Sequence, residues 1–150
     1  IDGIGIHADY DIRTMIKDYL TVVPPSKIIL GVPYYGYNWL VKENKEYAER
    51  KPGTDEAGYS QSQAYSDIMD TIIELKPEVK WDALALVPYF GYVSPESNEQ
   101  RMVYFENVDS LKEKYDLVKT NKLAGVGIWA LGYDGGYQEL WDLLKKEFLP

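Results

Sequence analysis

The sequence predicts an α/β fold, and three observations indicate it. Residues 28–30 form a short apolar run followed by glycine, which is typical of a strand that a parallel sheet buries on both faces. Residues 123–132 form a second run rich in small residues, and its glycines permit close packing in a crowded sheet. Stretches with helical spacing precede and follow both runs. We therefore predict two neighbouring parallel strands with helices beside them and a separate module between them.

The first helix is predicted to begin after Asp11, whose side chain can cap a helix. Pro24 and Pro25 end it, because proline cannot continue a helix. The apolar positions of this helix recur with helical spacing at Ile12, Met15, Ile16 and Tyr19.

The first strand runs into a cluster of aromatic residues, namely Tyr34, Tyr35, Tyr37 and Trp39. The whole chain has 14 tyrosines beside 4 tryptophans, and tyrosine combines a flat apolar face with a hydroxyl group. Sugar rings likewise have an apolar C–H face and a polar rim. Because the active-site residues of α/β barrels lie at the C-terminal ends of the strands, we predict a sugar-binding wall here. The alternative is a core strand that ends in an aromatic turn.

The middle of the chain is predicted to contain a polar loop at 40–58 and a helix from Tyr59 to Leu75. Residues 81–93 and 100–106 have strand character and a turn between them, so we predict a hairpin. Glu106 ends the second of these strands, and we interpret it as a surface charge rather than a catalyst.

The last part of the chain returns to the helix–strand–helix pattern. Asn107 or Asp109 is predicted to cap a third helix, and a turn at 133–136 precedes the last helix, from Tyr137 to Phe148. Trp141 on this helix is interpreted as a core residue.

The bulk composition excludes several classes of protein. A net charge of −8 argues against a protein that binds nucleic-acid phosphates. The sequence contains no run of 18 apolar residues, so it predicts no membrane-spanning helix. The chain has no cysteine, which excludes disulfides and a thiol nucleophile. The only histidine, His7, is interpreted as an exposed bystander, and no metal or cofactor site is predicted. Because the chain begins with Ile1 rather than Met, we expect it to be part of a longer or processed polypeptide.

Residues 29–36, with the pattern Leu-Gly-x-Pro-x-Tyr-Gly, and residues 123–131 resemble the seventh and eighth barrel strands of glycoside hydrolase family 18, the chitinase-like enzymes. Residues 108–111 together with Lys114 resemble the stretch that leads into the seventh helix of that family. Tyr37 follows Gly36 where many chitinases have arginine, which favours the bacterial cell-wall and spore-type branch.

The resemblance implies a partial TIM (β/α)8 barrel that consists of the last two strands and their helices, with an inserted α+β chitinase insertion domain. The implied boundaries are barrel for 1–39, insertion domain for 40–106, and barrel again for 107–150. A complete barrel needs roughly 250 residues, so this chain is too short to form one. Two strands without their neighbours leave open edges, and we expect either self-association through these edges or rearrangement of the two strands.

The resemblance also implies an activity, which is hydrolysis of β-1,4-linked N-acetylglucosamine polymers, either chitin or peptidoglycan, by substrate-assisted retention. The catalytic pattern of the family, Asp-x-x-Asp-x-Asp-x-Glu, is absent from this sequence. We therefore predict no catalytic residue here, an isolated chain that is inactive, and a parent protein that is secreted or attached to a bacterial cell wall.

The residues implied to bind substrate are aromatic. Trp129 would stack under the sugar at the cleavage point, and Tyr35 would offer its hydroxyl to the N-acetyl group. The rim and the wall of the groove would be formed by Tyr37, Trp39, Trp81 and Tyr89.

Two alternatives remain open. The first is a non-catalytic, lectin-like member of the same fold that binds carbohydrate. The second is an unrelated small α/β domain whose aromatic strand ends bind a partner protein.

Overall fold

The computed structural model describes residues 10–149, and within them the chain forms four α-helices and seven strands. His7 and Asp2 lie outside the described residues. The helices are α1 Ile12–Leu20, α2 Tyr65–Leu75, α3 Val108–Thr120 and α4 Glu139–Phe148. The strands are β1 Ile29–Pro33, β2 Tyr35–Leu40, β3 Gln61–Ala64, β4 Lys80–Asp82, β5 Val87–Val93, β6 Gln100–Tyr104 and β7 Gly125–Trp129.

The strands form two separate sheets. β1 and β7 pair in parallel, from Ile29 opposite Gly125 to Pro33 opposite Trp129, which confirms the predicted neighbouring parallel strands. The other five strands form an antiparallel sheet in the order β3-β2-β6-β5-β4. The predicted hairpin of β5 and β6 lies at the centre of this sheet and is confirmed.

Tyr34 joins the two sheets, since it is the one residue between β1 and β2. Its backbone N–H donates to the carbonyl of Trp129 at 2.8 Å, and its own carbonyl accepts from the N–H of Tyr65 at 3.0 Å. Its hydroxyl donates to the carbonyl of Leu140 at 3.2 Å, and its ring packs edge-on against Trp141 at 5.4 Å. This one residue therefore links β7 and α2 through its backbone and α4 through its fully buried side chain.

The main core lies where the helices cover both sheets. α1 begins at the predicted cap, because the Asp11 carboxylate accepts from the N–H of Thr14 at 2.8 Å. α3 begins at Asn107, whose side chain accepts from two backbone N–H groups of the first turn. The shared core contains apolar residues of both sheets and all four helices, including Leu30, Val32, Phe90, Val103, Ile16, Ile68, Leu111 and Leu140. No helix of the described residues is long and apolar enough to cross a bilayer.

The prediction that β1 is buried on both faces is wrong. Its residues alternate between exposed and buried, and Ile29 is 65% exposed whereas Leu30 is 3% exposed. In residues 10–149 the helices pack against one face of the parallel pair only, so every second side chain stays open.

Two further boundaries differ from the sequence prediction. Residues 61–64 are not helical, because they pair with β2 as an edge strand and the helix begins only at Tyr65. The run 81–93 is interrupted by a turn between β4 and β5. Asp82 makes this turn, since its carboxylate accepts from the N–H groups of Leu84 at 2.8 Å and Ala85 at 2.9 Å.

Glu106 is not a surface charge. Its side chain is buried and forms an ion pair with the equally buried Lys114 of α3 at 2.9 Å. Burial raises the pKa of the Glu106 carboxyl, against the opposite effects of Lys114 and Ser110. The pair fixes the start of α3 against the end of β6.

We predict that Lys114→Met costs about 3–5 kcal/mol of unfolding free energy, because it leaves a carboxylate buried without its cation. Lys112→Met is the matched control, since Lys112 lies on the same helix and pairs with Asp116 at the surface, 2.6 Å away. Water screens that exposed pair, so Lys112→Met should cost far less unfolding free energy than Lys114→Met. Guanidinium chloride denaturation measures both, and equal losses would contradict the stabilising role of the buried pair.

Candidate functional site

A row of aromatic side chains lies along one face of the antiparallel sheet. Alternate residues of a strand point to the same face, so Tyr35, Tyr37 and Trp39 lie together on β2. The ring centroids of Tyr35 and Tyr37 are 6.1 Å apart, and Tyr37 stacks on Trp39 at 5.0 Å. Tyr133 extends the row at its other end, with its ring edge-on to Tyr35 at 6.4 Å. We call these four residues the aromatic row.

Trp129 lies beside the start of this row. It ends β7 opposite Pro33, and its side chain is 68% exposed. Tyr35 follows Pro33 by two residues, so Trp129 and Tyr35 lie near the C-terminal ends of adjacent parallel strands. The structure thus brings these two residues to the same end of the parallel pair, although Tyr35 belongs to the antiparallel sheet, and their roles in binding stay predictions.

The exposed face of the parallel pair carries few side chains near its middle, because glycines lie there. Gly31 and Gly127 lie opposite each other on the same face as Trp129. No atom lies within 4 Å of the position that a side chain at Gly31 would occupy. Gly31 therefore leaves space on the face of the parallel pair that carries Trp129.

Tyr133 was missed in the sequence, where residues 133–136 were interpreted only as a turn. The turn is closely held: the Asp134 carboxylate accepts from the N–H of Gly136 at 3.1 Å, and the carbonyl of Tyr133 accepts from Ser66 at 3.0 Å. Gly135 adopts a φ of 57°, a conformation that favours glycine. The available signal was the aromatic residue in the loop that follows a parallel strand, where barrels place binding residues.

Asp134 supports this turn as a buried charge. Burial alone would raise the pKa of its carboxyl, but hydrogen bonds from Gly136 and the Trp141 side chain outweigh burial and hold the pKa below its ordinary value. The charged form is therefore the one that the folded turn stabilises.

The structure separates Trp81 from Tyr89, which were predicted to form one wall. Trp81 pairs with Pro88 across the sheet and so shares its face, whereas Tyr89 is the next residue and points to the other face. Tyr89 is on the same face as the aromatic row but is only 8% exposed, because its ring stacks on Tyr104 at 5.0 Å. Trp81 is 41% exposed on the far side.

The described residues hold no group of carboxylates arranged for acid catalysis. The nearest approach to the expected spacing is Asp67, Asp70 and Glu74, with Ile72 in the place of the third aspartate. These three side chains are exposed along α2 rather than at the end of a parallel strand. No cluster of three or more metal-ligating side chains occurs within residues 10–149.

The chain combines a parallel strand pair that ends in an exposed tryptophan with an antiparallel sheet formed by the residues between the two parallel strands. The profile of the family named Glycosyl hydrolases family 18 matches residues 3–134, and the chain belongs to this family. Membership excludes the unrelated α/β domain that the sequence left open.

Among curated relatives, the cortical fragment-lytic enzyme of Bacillus subtilis is 30% identical over 139 residues. The human di-N-acetylchitobiase is 28% identical over 155 residues. Each match covers 91% of this chain, but only 29% of the Bacillus enzyme and 40% of the human one. The chain thus spans well under half the length of these two relatives.

Solved structures agree with the fold. The spore cortex-lytic enzyme SleL of Bacillus megaterium superposes with a TM-score of 0.73 at 29% identity, over 91% of this chain and 29% of that one. A plant class V chitinase mutant from Cycas revoluta, solved in complex with (GlcNAc)3, gives 0.74 at 23% identity, over 93% of this chain and 39% of that one. At 23% identity, the match to the plant chitinase supports the fold only.

We predict that Asp134→Asn destabilises the fold in a pH-dependent way. The pKa of the folded Asp134 carboxyl lies below its ordinary value of 3.8, so the charged carboxylate stabilises the fold above that pH. This contribution declines as the pH falls through the folded pKa. The difference in unfolding free energy from the parent chain should be about 1–2 kcal/mol near neutral pH and should shrink in acid.

Urea denaturation at several pH values measures this difference. Asp142→Asn is the control, because Asp142 is an exposed carboxylate on α4. A difference for Asp134→Asn that stays constant across the acid range would contradict the role of the charge.

Proposed function

We propose that this chain is the C-terminal portion of a chitinase-like glycoside hydrolase that acts on β-1,4-linked N-acetylglucosamine polymers. It supplies the aromatic substrate-binding surface, while the catalytic acid lies in a preceding region of the complete polypeptide. The observation that carries this proposal is the exposed ring of Trp129 at a strand end, beside the aromatic row.

The proposed architecture is a partial barrel. Residues 1–39 and 107–150 contribute the last two barrel strands, β1 and β7, and residues 40–106 form the insertion domain. The change from the parallel pair to the antiparallel sheet at Tyr34 supports an insertion that begins next to the seventh strand. The open edges of β1 and β7 would pair with the remaining strands of the barrel, or with a second copy when the chain is isolated.

In the complete enzyme the reaction would follow substrate-assisted retention. A glutamic acid protonates the leaving oxygen, and the N-acetyl group of the substrate attacks the anomeric carbon. From this chain, Trp129 would support the sugar from below, and the Tyr35 hydroxyl would orient the N-acetyl group. Tyr37 and Trp39 would bind the sugars that follow.

The names of the Bacillus relatives, cortical fragment-lytic and spore cortex-lytic, support a place in the bacterial cell wall. We accordingly propose a secreted or wall-associated parent protein. Peptidoglycan and chitin share the linkage and the N-acetyl group, so both fit the aromatic surface described so far.

We predict that Trp129→Ala weakens the binding of a chitooligosaccharide about 10-fold, a loss of about 1.4 kcal/mol, because the sugar loses its apolar support. Isothermal titration calorimetry on the isolated chain measures the affinity. Tyr19→Ala is the control, since Tyr19 is an exposed ring on α1, away from the site. Unchanged affinity in Trp129→Ala would refute the proposed role of this residue.

We also predict that the isolated chain releases no fluorophore from a fluorogenic chitobioside, because it lacks the acid and the orienting aspartate. Turnover that disappears when a residue of this chain is replaced would overturn this prediction.

The lectin-like alternative keeps the same binding surface, and the absence of the acid motif from this chain is compatible with both functions. The region that precedes residue 1 in the complete polypeptide separates the two functions. An intact Asp-x-x-Asp-x-Asp-x-Glu there supports the enzyme, and a replaced terminal glutamate supports the lectin.

A further inference from the structure

Arg50 extends the aromatic row at the end that is remote from Trp129. Its guanidinium carbon lies 5.4 Å from the ring centroid of Trp39, the last ring of the row. Trp39 follows Tyr35 by four residues, so it lies about 13 Å along β2 from Tyr35. Arg50 lies over Trp39 and is therefore at the same distance from the start of β2. This position is several sugar-facing rings away from the proposed cleavage point.

The backbone holds Arg50 in this place. Residues 41 and 50 form an antiparallel bridge directly after β2. The N–H of Lys51 donates to the carbonyl of Leu40 at 2.9 Å, and the N–H of Lys42 donates to the carbonyl of Glu49 at 3.0 Å. The segment that follows β2 therefore returns alongside it and places the guanidinium over Trp39. The contact between Arg50 and Trp39 is therefore held by the backbone hydrogen bonds of the returning segment.

The charges around Arg50 are already paired with other residues. The Glu49 carboxylate lies 2.7 Å from Lys42, and the Glu99 carboxylate lies 2.6 Å from Lys51. Among residues 10–149, no carboxylate lies within ion-pair distance of Arg50. Arg50 is thus an exposed cation, positioned by its backbone and an aromatic ring, with its charge still unmatched.

We propose that Arg50 determines substrate specificity by binding a carboxylate on a glycan that lies along the aromatic row. This inference rests on the proposed function and deepens it, because it selects the substrate class: an amino-sugar polymer with carboxylate-bearing ether substituents rather than a neutral one. A guanidinium binds a carboxylate with two parallel hydrogen bonds, and stacking on Trp39 leaves its N–H edge available.

The overall charge of the chain opposes an anionic ligand, so binding such a ligand depends on a local cation. With a net charge of −8, the protein repels an anionic polymer at long range. A carboxylated ligand therefore needs a local cation, and Arg50 is placed on the aromatic row itself. A neutral polymer gains nothing from this charge.

The test compares two oligosaccharides of equal length by isothermal titration calorimetry on the 150-residue chain. One is a chitooligosaccharide, and the other alternates N-acetylglucosamine with N-acetylmuramic acid and has free carboxylates. We expect the parent chain to bind the acidic oligomer about 10-fold more tightly, and added salt to reduce this preference. Arg50→Gln should remove the preference and leave the affinity for the neutral oligomer nearly unchanged.

Two further variants sharpen the result. Arg50→Lys keeps the positive charge but lacks the planar guanidinium that donates two parallel hydrogen bonds. This variant should therefore retain only part of the preference for the acidic oligomer. Arg13→Gln removes the same charge from an exposed position on α1 and should retain all of it. Circular dichroism verifies that each variant is folded.

The outcomes separate the two proposals. Equal affinity of the parent chain for both oligomers, or a preference that survives in Arg50→Gln, would overturn this inference and leave the proposed function standing. Failure of the chain to bind either oligomer would overturn both.

Discussion

The arrangement of the molecule depends on the register of the chain at Tyr34. Side chains of a strand alternate with a period of two, so a shift by one residue would turn Tyr35, Tyr37 and Trp39 into the core. The structure leaves no room for this shift. A side chain at the position of Gly36 would lie 2.4 Å from the carbonyl oxygen of Tyr104 and 2.7 Å from Phe105. The hydrogen bonds of Tyr34 to β7, α2 and α4 hold the same register from the other end.

Much of the fold was predictable, because the relevant signals are local. The caps at Asp11 and Asn107 and the β5–β6 hairpin follow from residue types and short-range spacing. The errors arose where a distant partner decides the structure. Residues 61–64 have polar side chains of no strand character, and they form β3 only because the edge of β2 offers backbone partners. Glu106 appears as an isolated charge in the sequence, yet a lysine eight residues later buries it as an ion pair.

The candidate site was predicted in part for the same reason. Tyr35, Tyr37 and Trp39 are close in sequence, and their alternation alone places them on one face. Tyr133 joins them from almost a hundred residues away, and only the parallel pairing of β1 with β7 brings its loop to the row. The pleat also explains why Trp81 and Tyr89 lie apart, since Trp81 pairs with Pro88 and the next residue, Tyr89, points to the other face. The register of β4 against β5 is set by how the two strands pair, so the amino-acid composition does not predict it.

The site is divided between two sheets that share no strand, and this division has a physical consequence. Trp129 belongs to the parallel pair, whereas Tyr35, Tyr37 and Trp39 belong to the antiparallel sheet. Their relative position is therefore not set by a continuous ladder of hydrogen bonds. It is set by Tyr34 and by the closely held turn of Tyr133 and Asp134, both of which contact the start of α2. Because the N–H groups of Tyr65 and Ser66 donate to Tyr34 and Tyr133, the first turn of α2 aligns the two halves of the surface.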